Sequence, residues 1–117
     1  MMSGGVDDFI ERMTRLGLDP VAETQLVIYK IQPVDGAYIG ATVLTGGAIG
    51  ELSRWPLVPP HWIHLPATVE FAHTNSRPST RSGWTMHSRQ ITRWGQDRDP
   101  GVGWAGHVRG VIGAATR

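Results

Sequence analysis

Two consecutive prolines, Pro59 and Pro60, place the strongest local constraint on how this chain folds. Each lacks a backbone N–H and has a fixed φ, and each also pushes the preceding residue out of the helical region. The chain is therefore expected to form a rigid turn at this point and not a helix. From Ile63 to Phe71 apolar and polar residues then alternate, which is typical of a strand with one buried face. We predict a rigid corner followed by a strand within Trp55–Phe71.

The N-terminal half predicts a helix followed by a β-hairpin. Apolar residues at helical spacing, with two aspartates in the first turn, predict a helix over Val6–Leu16. Segments rich in β-branched and aromatic residues predict two strands, Glu23–Gln32 and Ala37–Leu44. A Pro-Val-Asp-Gly turn joins them, and the Gly46-Gly47 pair is expected to end the second strand.

The C-terminal half is less regular. Residues 72–83 predict a long loop, residues 84–94 fit either irregular structure or a short strand, and Gly95–Gly103 predicts a turn-rich linker. A closing helix is expected over Trp104–Ala115, with one apolar face formed by Trp104, Val108, Val111 and Ile112. The predicted class is therefore α+β, an antiparallel β-meander flanked by an N-terminal and a C-terminal helix.

The composition excludes several classes of function. The 117 residues predict one domain spanning 1–117, with residues 1–5 disordered. With a net charge of +1, the protein has no strong positive electrostatic potential that would attract nucleic acid or an anionic membrane. The absence of cysteine excludes disulfides, thiolate metal ligands and a cysteine nucleophile. Neither a signal peptide nor a membrane-spanning stretch of ~20 apolar residues is evident, so we expect a soluble cytoplasmic protein with no nucleic-acid or membrane partner.

Several short motifs, taken in order, resemble the ubiquitin-conjugating-enzyme fold. They are Trp55-Pro56 followed by Pro59-Pro60, the tripeptide His73-Thr74-Asn75, then Gly83, and Trp94 before the closing helix. The pattern looks most like the divergent bacterial branch, whose members are encoded beside ubiquitin-like modifiers, activating enzymes and deubiquitinase-like metalloproteases. The resemblance spans most of the chain and implies a truncated form of this fold and a role in a bacterial ubiquitin-like modification system.

The chain departs from the family at the catalytic position. Where the family has its cysteine, two or three residues after the glycine, this chain has Thr85 and Met86, followed by His87, so the missing thiol falls near Met86. The resemblance implies that Asn75 matches the family asparagine that holds the oxyanion or the local backbone, and that His73 matches its structural histidine. Without a thiol no thioester can form, and a serine would give only a less reactive oxyester. The resemblance therefore implies a pseudoenzyme without classical thioester transfer.

His87, Ser88 and Arg89 form the densest group of chemically active side chains. Histidine can act as an acid or base near neutral pH, serine as a nucleophile or hydrogen-bond donor, and arginine as a carboxylate clamp. Neighbours on extended backbone point in opposite directions, so His87 cannot activate Ser88 directly. The alternative is a structural role in which the histidine and arginine bind backbone carbonyls. The candidate catalytic residues are His87, His73 and Asn75, and the candidate binding residues are Trp62, Ser88 and Arg89.

His61 and His64 have the spacing of a zinc-binding pair only if the segment is helical. On extended backbone beside prolines they are expected on opposite sides, so we predict no metal site and no other cofactor; a site assembled in three dimensions with His73, His87 and a carboxylate stays open as the alternative. Trp62 lies between them, and it is expected either to pack in the core or to anchor a partner.

The leading hypothesis is a cysteine-less ubiquitin-conjugating-like protein that binds a ubiquitin-like modifier, or the activating or deconjugating enzyme of the same operon. One alternative is a small enzyme on the same fold with a site centred on His87. Another is an accessory interaction domain unrelated to ubiquitin.

Overall fold

A six-stranded antiparallel sheet, preceded by one helix and followed by another, forms the fold. The computed structural model describes residues 4–72, 75–91, 93–95 and 99–117. In chain order the elements are α1 (Gly5–Arg15), β1 (Val21–Ala22), β2 (Leu26–Ile31), β3 (Val43–Ala48), a 3-10 turn (Ile49–Leu52), β4 (Trp62–Pro66), β5 (Asn75–Pro78), β6 (Trp84–Ser88) and α2 (Pro100–Gly113). The strands lie in the order β1-β2-β3-β4-β6-β5, and every pairing is antiparallel. The predicted α+β class with an antiparallel sheet is confirmed, but the predicted meander extends only from β1 to β4, because β6 lies between β4 and β5.

The core lies between the two helices and one face of the sheet. Both helices supply an apolar stripe to it, and alternate residues of the central strands complete it because side chains along a strand point to opposite faces. The largest of these buried side chains are Phe9, Met13, Tyr29, Ile31, Ile63, Leu65, Trp104 and Ile112. Inside the core the Trp104 indole N–H donates to the Tyr29 hydroxyl at 2.9 Å, which ties α2 to β2.

The first helix agrees with its prediction to within one residue at each end. It begins at Gly5, whose N–H donates to the Trp55 carbonyl at 2.7 Å, so the helix starts within the segment 1–5 that was predicted to be disordered. Asp8 is buried in the first turn, where its Oδ2 accepts from Trp55 Nε1 at 2.9 Å and from Arg12 Nε at 2.7 Å. The helix start is thereby fastened to the loop that precedes β4.

The second helix begins four residues earlier than predicted. Asp99 caps it by accepting from the N–H groups of Gly101 and Val102 at 2.8 and 3.2 Å, and Pro100 occupies the first turn. This capping pattern is a recognised helix start, so extending the predicted linker to Gly103 was wrong. The predicted buried face of the helix is confirmed.

The second strand lies later in the chain than predicted. Residues 37–40 form a turn, and β3 runs from Val43 through both Gly46 and Gly47, which do not end it. A Cβ at Gly46 would lie 3.1 Å from the His64 Cβ and 3.2 Å from the Leu26 Cδ1. Gly46 therefore leaves room for the larger side chains of the neighbouring strands on that face. This requirement comes from tertiary packing, so the local sequence does not indicate it.

The segment after the proline corner also differs from its prediction. Only Trp62–Pro66 forms β4, and the predicted loop contains a strand, β5. The segment left open between irregular and short-strand structure contains β6, which pairs with β4 from Trp62↔Ser88 to Pro66↔Trp84. Pairing between segments far apart in sequence determines where these strands lie, so the residue pattern within each segment was not sufficient to predict them. Over the described residues neither helix is long and apolar enough to cross a membrane.

Candidate functional site

The face of the sheet opposite the helices carries the candidate site. On β4 and β6 this open face, as we call it, presents Trp62, His64, Met86 and Ser88, because each partner pair lies on the same side. β5 extends it, since Asn75 pairs with Ser88 and Arg77 with Met86. The guanidinium of Arg77 lies 5.7 Å from the centre of the Trp62 ring, a cation–π arrangement.

A cavity of about 410 Å³ opens on this face between β4 and the 3-10 turn. Its walls combine apolar and polar side chains and include Ala48, Ile49, Glu51, Trp62, His64, Thr80 and Met86. Met86 places a half-buried thioether at the cavity wall. A cleft with apolar walls and a few polar groups suits binding of a small apolar group.

His64 is the buried polar group of this cavity. Its Nδ1 lies 2.7 Å from Ser79 Oγ, which also accepts from the backbone N–H of Arg81 at 3.1 Å. Its Nε2 is buried and has no hydrogen-bond partner among the described residues. Burial lowers the pKa of His64, so the imidazole is neutral at pH 7. Gly46 provides the space for this ring against β3.

A serine–histidine contact lies beside the cavity. Ser88 Oγ is 2.7 Å from His61 Nε2, although 27 residues separate them. The His61 ring meets the Trp62 ring edge-on, with centroids 5.1 Å apart. The backbone N–H groups of His61 and Trp62 both donate to the carboxylate of Glu51, at 3.0 and 3.3 Å. The backbone that carries the histidine is therefore held in place.

His87 and Arg89 lie together away from this site, around Phe71. The Phe71 ring is 4.7 Å from the His87 ring and 5.0 Å from the Arg89 guanidinium, which also donates to the Ser88 carbonyl at 2.9 Å. Burial lowers the pKa of His87 to about 4, with smaller contributions from the charge of Arg89 and from His64 in its protonated form. His87 is therefore a neutral, packed side chain at pH 7.

The structure brings together some of the predicted site residues and separates others. Because Asn75 pairs with Ser88, its side chain lies on the open face, whereas His87 points to the opposite face. His73 lies outside the described residues. The predicted binding residues are also divided, since Trp62 and Ser88 share the open face and Arg89 does not.

Sequence reasoning missed the two serine partners of the HxxH pair. His61 and His64 were expected on opposite sides of an extended segment, but each contacts a serine of the β5–β6 hairpin, Ser88 and Ser79, and these serines lie on strands or turns that had no predicted register. Ser88 could have been placed beside His61 only by predicting that the WTMHS segment pairs with the WIHLP segment as neighbouring antiparallel strands. Within the described part of the chain, no group of three or more histidine, aspartate or glutamate side chains is arranged to hold a metal ion.

Comparison with known proteins gives no relative: no family model, no curated protein and no solved structure matches this chain.

Proposed function

We propose that this chain is a cysteine-less, ubiquitin-conjugating-like protein of the bacterial cytoplasm. It binds a ubiquitin-like modifier, or the enzyme that activates or removes that modifier. The observation that carries the proposal is a contact between two of its motifs that are far apart in sequence. Trp94 packs on Trp55 with ring centroids 5.4 Å apart, and its indole N–H donates to the Pro56 carbonyl at 2.9 Å. The order β1-β2-β3-β4 between two terminal helices supports the same resemblance, whereas the placement of β6 between β4 and β5 departs from the expected meander.

The position of the missing thiol favours binding over transfer. A thioester carrier needs a reactive, accessible thiolate. Here Thr85, Met86 and His87 lie on β6, between β4 and β5 and not on an exposed loop, and Met86 forms part of the cavity wall. These three residues offer no thiol, and we therefore assign this region to recognition.

Trp62 is the residue that we assign as the anchor for the partner. It is half-buried on the open face, with Arg77 over its ring and the cavity beside it. Tryptophan and arginine dominate the energetics of many protein interfaces, tryptophan through its large rigid ring and arginine through its charge and several N–H donors. A partner with an apolar contact surface flanked by an acidic group fits this pair.

The His87-centred alternative has weaker support. An acid–base residue must approach the reacting group, together with its helpers. His87 faces the helices and packs on Phe71, whereas Asn75 and Ser88 face the other way.

Binding to purified proteins from the same operon tests the proposal. We expect calorimetric titration to detect binding to the modifier, its activating enzyme or its deconjugating enzyme. Trp62→Ala should weaken that binding by at least 2 kcal/mol, about 30-fold. Leu57→Ala is the matched control, because Leu57 is a large apolar side chain that is 79% exposed and lies outside the cavity.

Failure would be clear in two ways. If no operon protein binds more tightly than ~1 mM, the proposed pathway is wrong, and an interaction domain unrelated to ubiquitin becomes the better interpretation. If Trp62→Ala and Leu57→Ala weaken binding equally while both remain folded by circular dichroism, the anchor is wrongly assigned.

A further inference from the structure

We propose that Ser88 and His61 form a nucleophile and general-base pair that accepts an acyl group from activated carboxylic esters. This activity goes beyond partner binding, and it does not depend on the ubiquitin-like pathway. The proposal starts from the 2.7 Å contact between Ser88 Oγ and His61 Nε2. A serine hydroxyl is a weak nucleophile unless an adjacent base removes its proton, and this distance is within the range for such a transfer.

The pair is oriented by its neighbours. The Glu51 carboxylate holds the backbone N–H groups of His61 and Trp62, and the Trp62 ring packs edge-on against the imidazole. These contacts limit the positions that the base can take, which is the condition for proton transfer along a fixed hydrogen bond. Ser88 is set in turn by its pairing with Trp62 across β4 and β6.

The surroundings supply the other two elements that an acyl transfer needs. Asn75 pairs with Ser88 across β5 and β6 and lies on the same face, and we assign its side-chain amide as the donor to the developing oxyanion. Trp62, the other strand partner of Ser88, also lines the 410 Å³ cavity. An apolar acyl chain bound to Ser88 would extend over Trp62 toward the cavity wall at Met86 and Ile49.

The chemistry balances without a cofactor. The Ser88 oxygen attacks the ester carbonyl, a new C–O bond forms, and the serine proton passes to His61 Nε2. The ester C–O bond then breaks, and the leaving alcohol or phenol takes that proton from His61. Water reverses the sequence: His61 accepts a proton from water, the hydroxide oxygen bonds to the acyl carbon, and Ser88 leaves with the proton.

Reaction of the full-length chain with p-nitrophenyl acetate and p-nitrophenyl butyrate provides the first test. We expect a release of up to one equivalent of p-nitrophenolate per chain and an acyl adduct on Ser88 in peptide mass spectrometry. Butyrate should react faster than acetate, by up to about fourfold for each added methylene, because the cavity accepts the longer chain. Ser88→Ala should abolish the burst, whereas Ser82→Ala, an exposed serine on a nearby turn, should retain it.

A second test remains valid if Ser88→Ala proves unstable, and it uses the absence of cysteine. Ser88→Cys and Ser82→Cys each carry one thiol in the whole chain. A base beside a thiol favours the thiolate, so iodoacetamide should alkylate Ser88→Cys at least tenfold faster at pH 7, although Ser82 is the more exposed site. Adding His61→Gln should remove this advantage.

Two results would overturn the proposal. One is an acyl adduct only at Lys30 or another residue, with the burst unchanged in Ser88→Ala. The other is an alkylation rate at Ser88→Cys that is no faster than at Ser82→Cys and is unaffected by His61→Gln.

Discussion

Replacing the buried carboxylate of Asp8 gives the sharpest test of how α1 is held against the loop that carries Trp55. Its Oδ2 accepts from the indole N–H of Trp55, which is 1% exposed, and from Arg12, whose pKa is raised mainly by this hydrogen bond. In Asp8→Ala the indole N–H loses its acceptor inside the core, which costs about 1–3 kcal/mol. The partly exposed ion pair adds roughly 0.5–1 kcal/mol.

Asp7→Ala is the matched control for this change. Both aspartates lie in the first turn of α1 and interact with the helix dipole, but Asp7 is exposed. The dipole contribution is shared, so the difference between the two variants isolates the buried hydrogen bonds. We expect Asp8→Ala to lower the free energy of unfolding by about 2–3 kcal/mol more than Asp7→Ala does. Asp8→Asn should lose only about 1 kcal/mol, because its amide oxygen still accepts from Trp55.

Urea unfolding followed by tryptophan fluorescence measures these differences. A double-mutant cycle with Trp55→Phe adds a direct measure of the indole–carboxylate coupling, which should exceed about 1 kcal/mol. If Asp8→Ala and Asp7→Ala differ by less than 0.5 kcal/mol, roughly the additivity error, the buried contact contributes nothing and the reasoning fails.

Three further changes test other parts of the fold. Gly36→Ala should destabilise the chain by ~1–3 kcal/mol more than Gly40→Ala in urea unfolding, since both have positive φ but only at Gly36 would an added Cβ overlap the backbone of the last turn of α2. Tyr29→Phe should cost about 1–2 kcal/mol in the same assay because it leaves a buried indole N–H without an acceptor, whereas Tyr38→Phe, at a half-exposed hydroxyl, should cost roughly 0.5 kcal/mol or less; equal costs would contradict this. The His87 imidazole takes up a proton near pH 6.5 when unfolded but only near pH 4 when folded, so the free energy of unfolding should fall as pH decreases from 6.5 to 4. That slope is proportional to the number of protons taken up on unfolding, and His87→Phe should reduce this number by up to about one in pH-dependent urea unfolding. An unchanged slope would refute the assignment.

Local sequence pattern predicted the elements that their own residues determine. The first helix has its apolar stripe, its acidic first turn and its glycine terminator within thirteen residues, and it was predicted almost completely. The strand over Leu26–Ile31 was predicted inside a slightly longer segment because β-branched residues dominate it.

The candidate site could not be predicted because it depends on strand register. Ser88 meets His61, and Ser79 meets His64, through the pairing of β6 with β4 and through the turn between β5 and β6. No residue pattern within 84–94 specifies that register. The space for His64 depends in addition on Gly46, which the sequence presents as a strand breaker.

The strand order has a consequence for how the C-terminal hairpin is attached. Among the described strands, the hairpin of β5 and β6 pairs with the rest of the sheet only along β4, from Trp62↔Ser88 to Pro66↔Trp84. His61, just before β4, and His64, within β4, each form a hydrogen bond with one serine of that hairpin. The same two contacts that shape the open face thus link the hairpin to β4, and a ligand bound on this face would stabilise that arrangement.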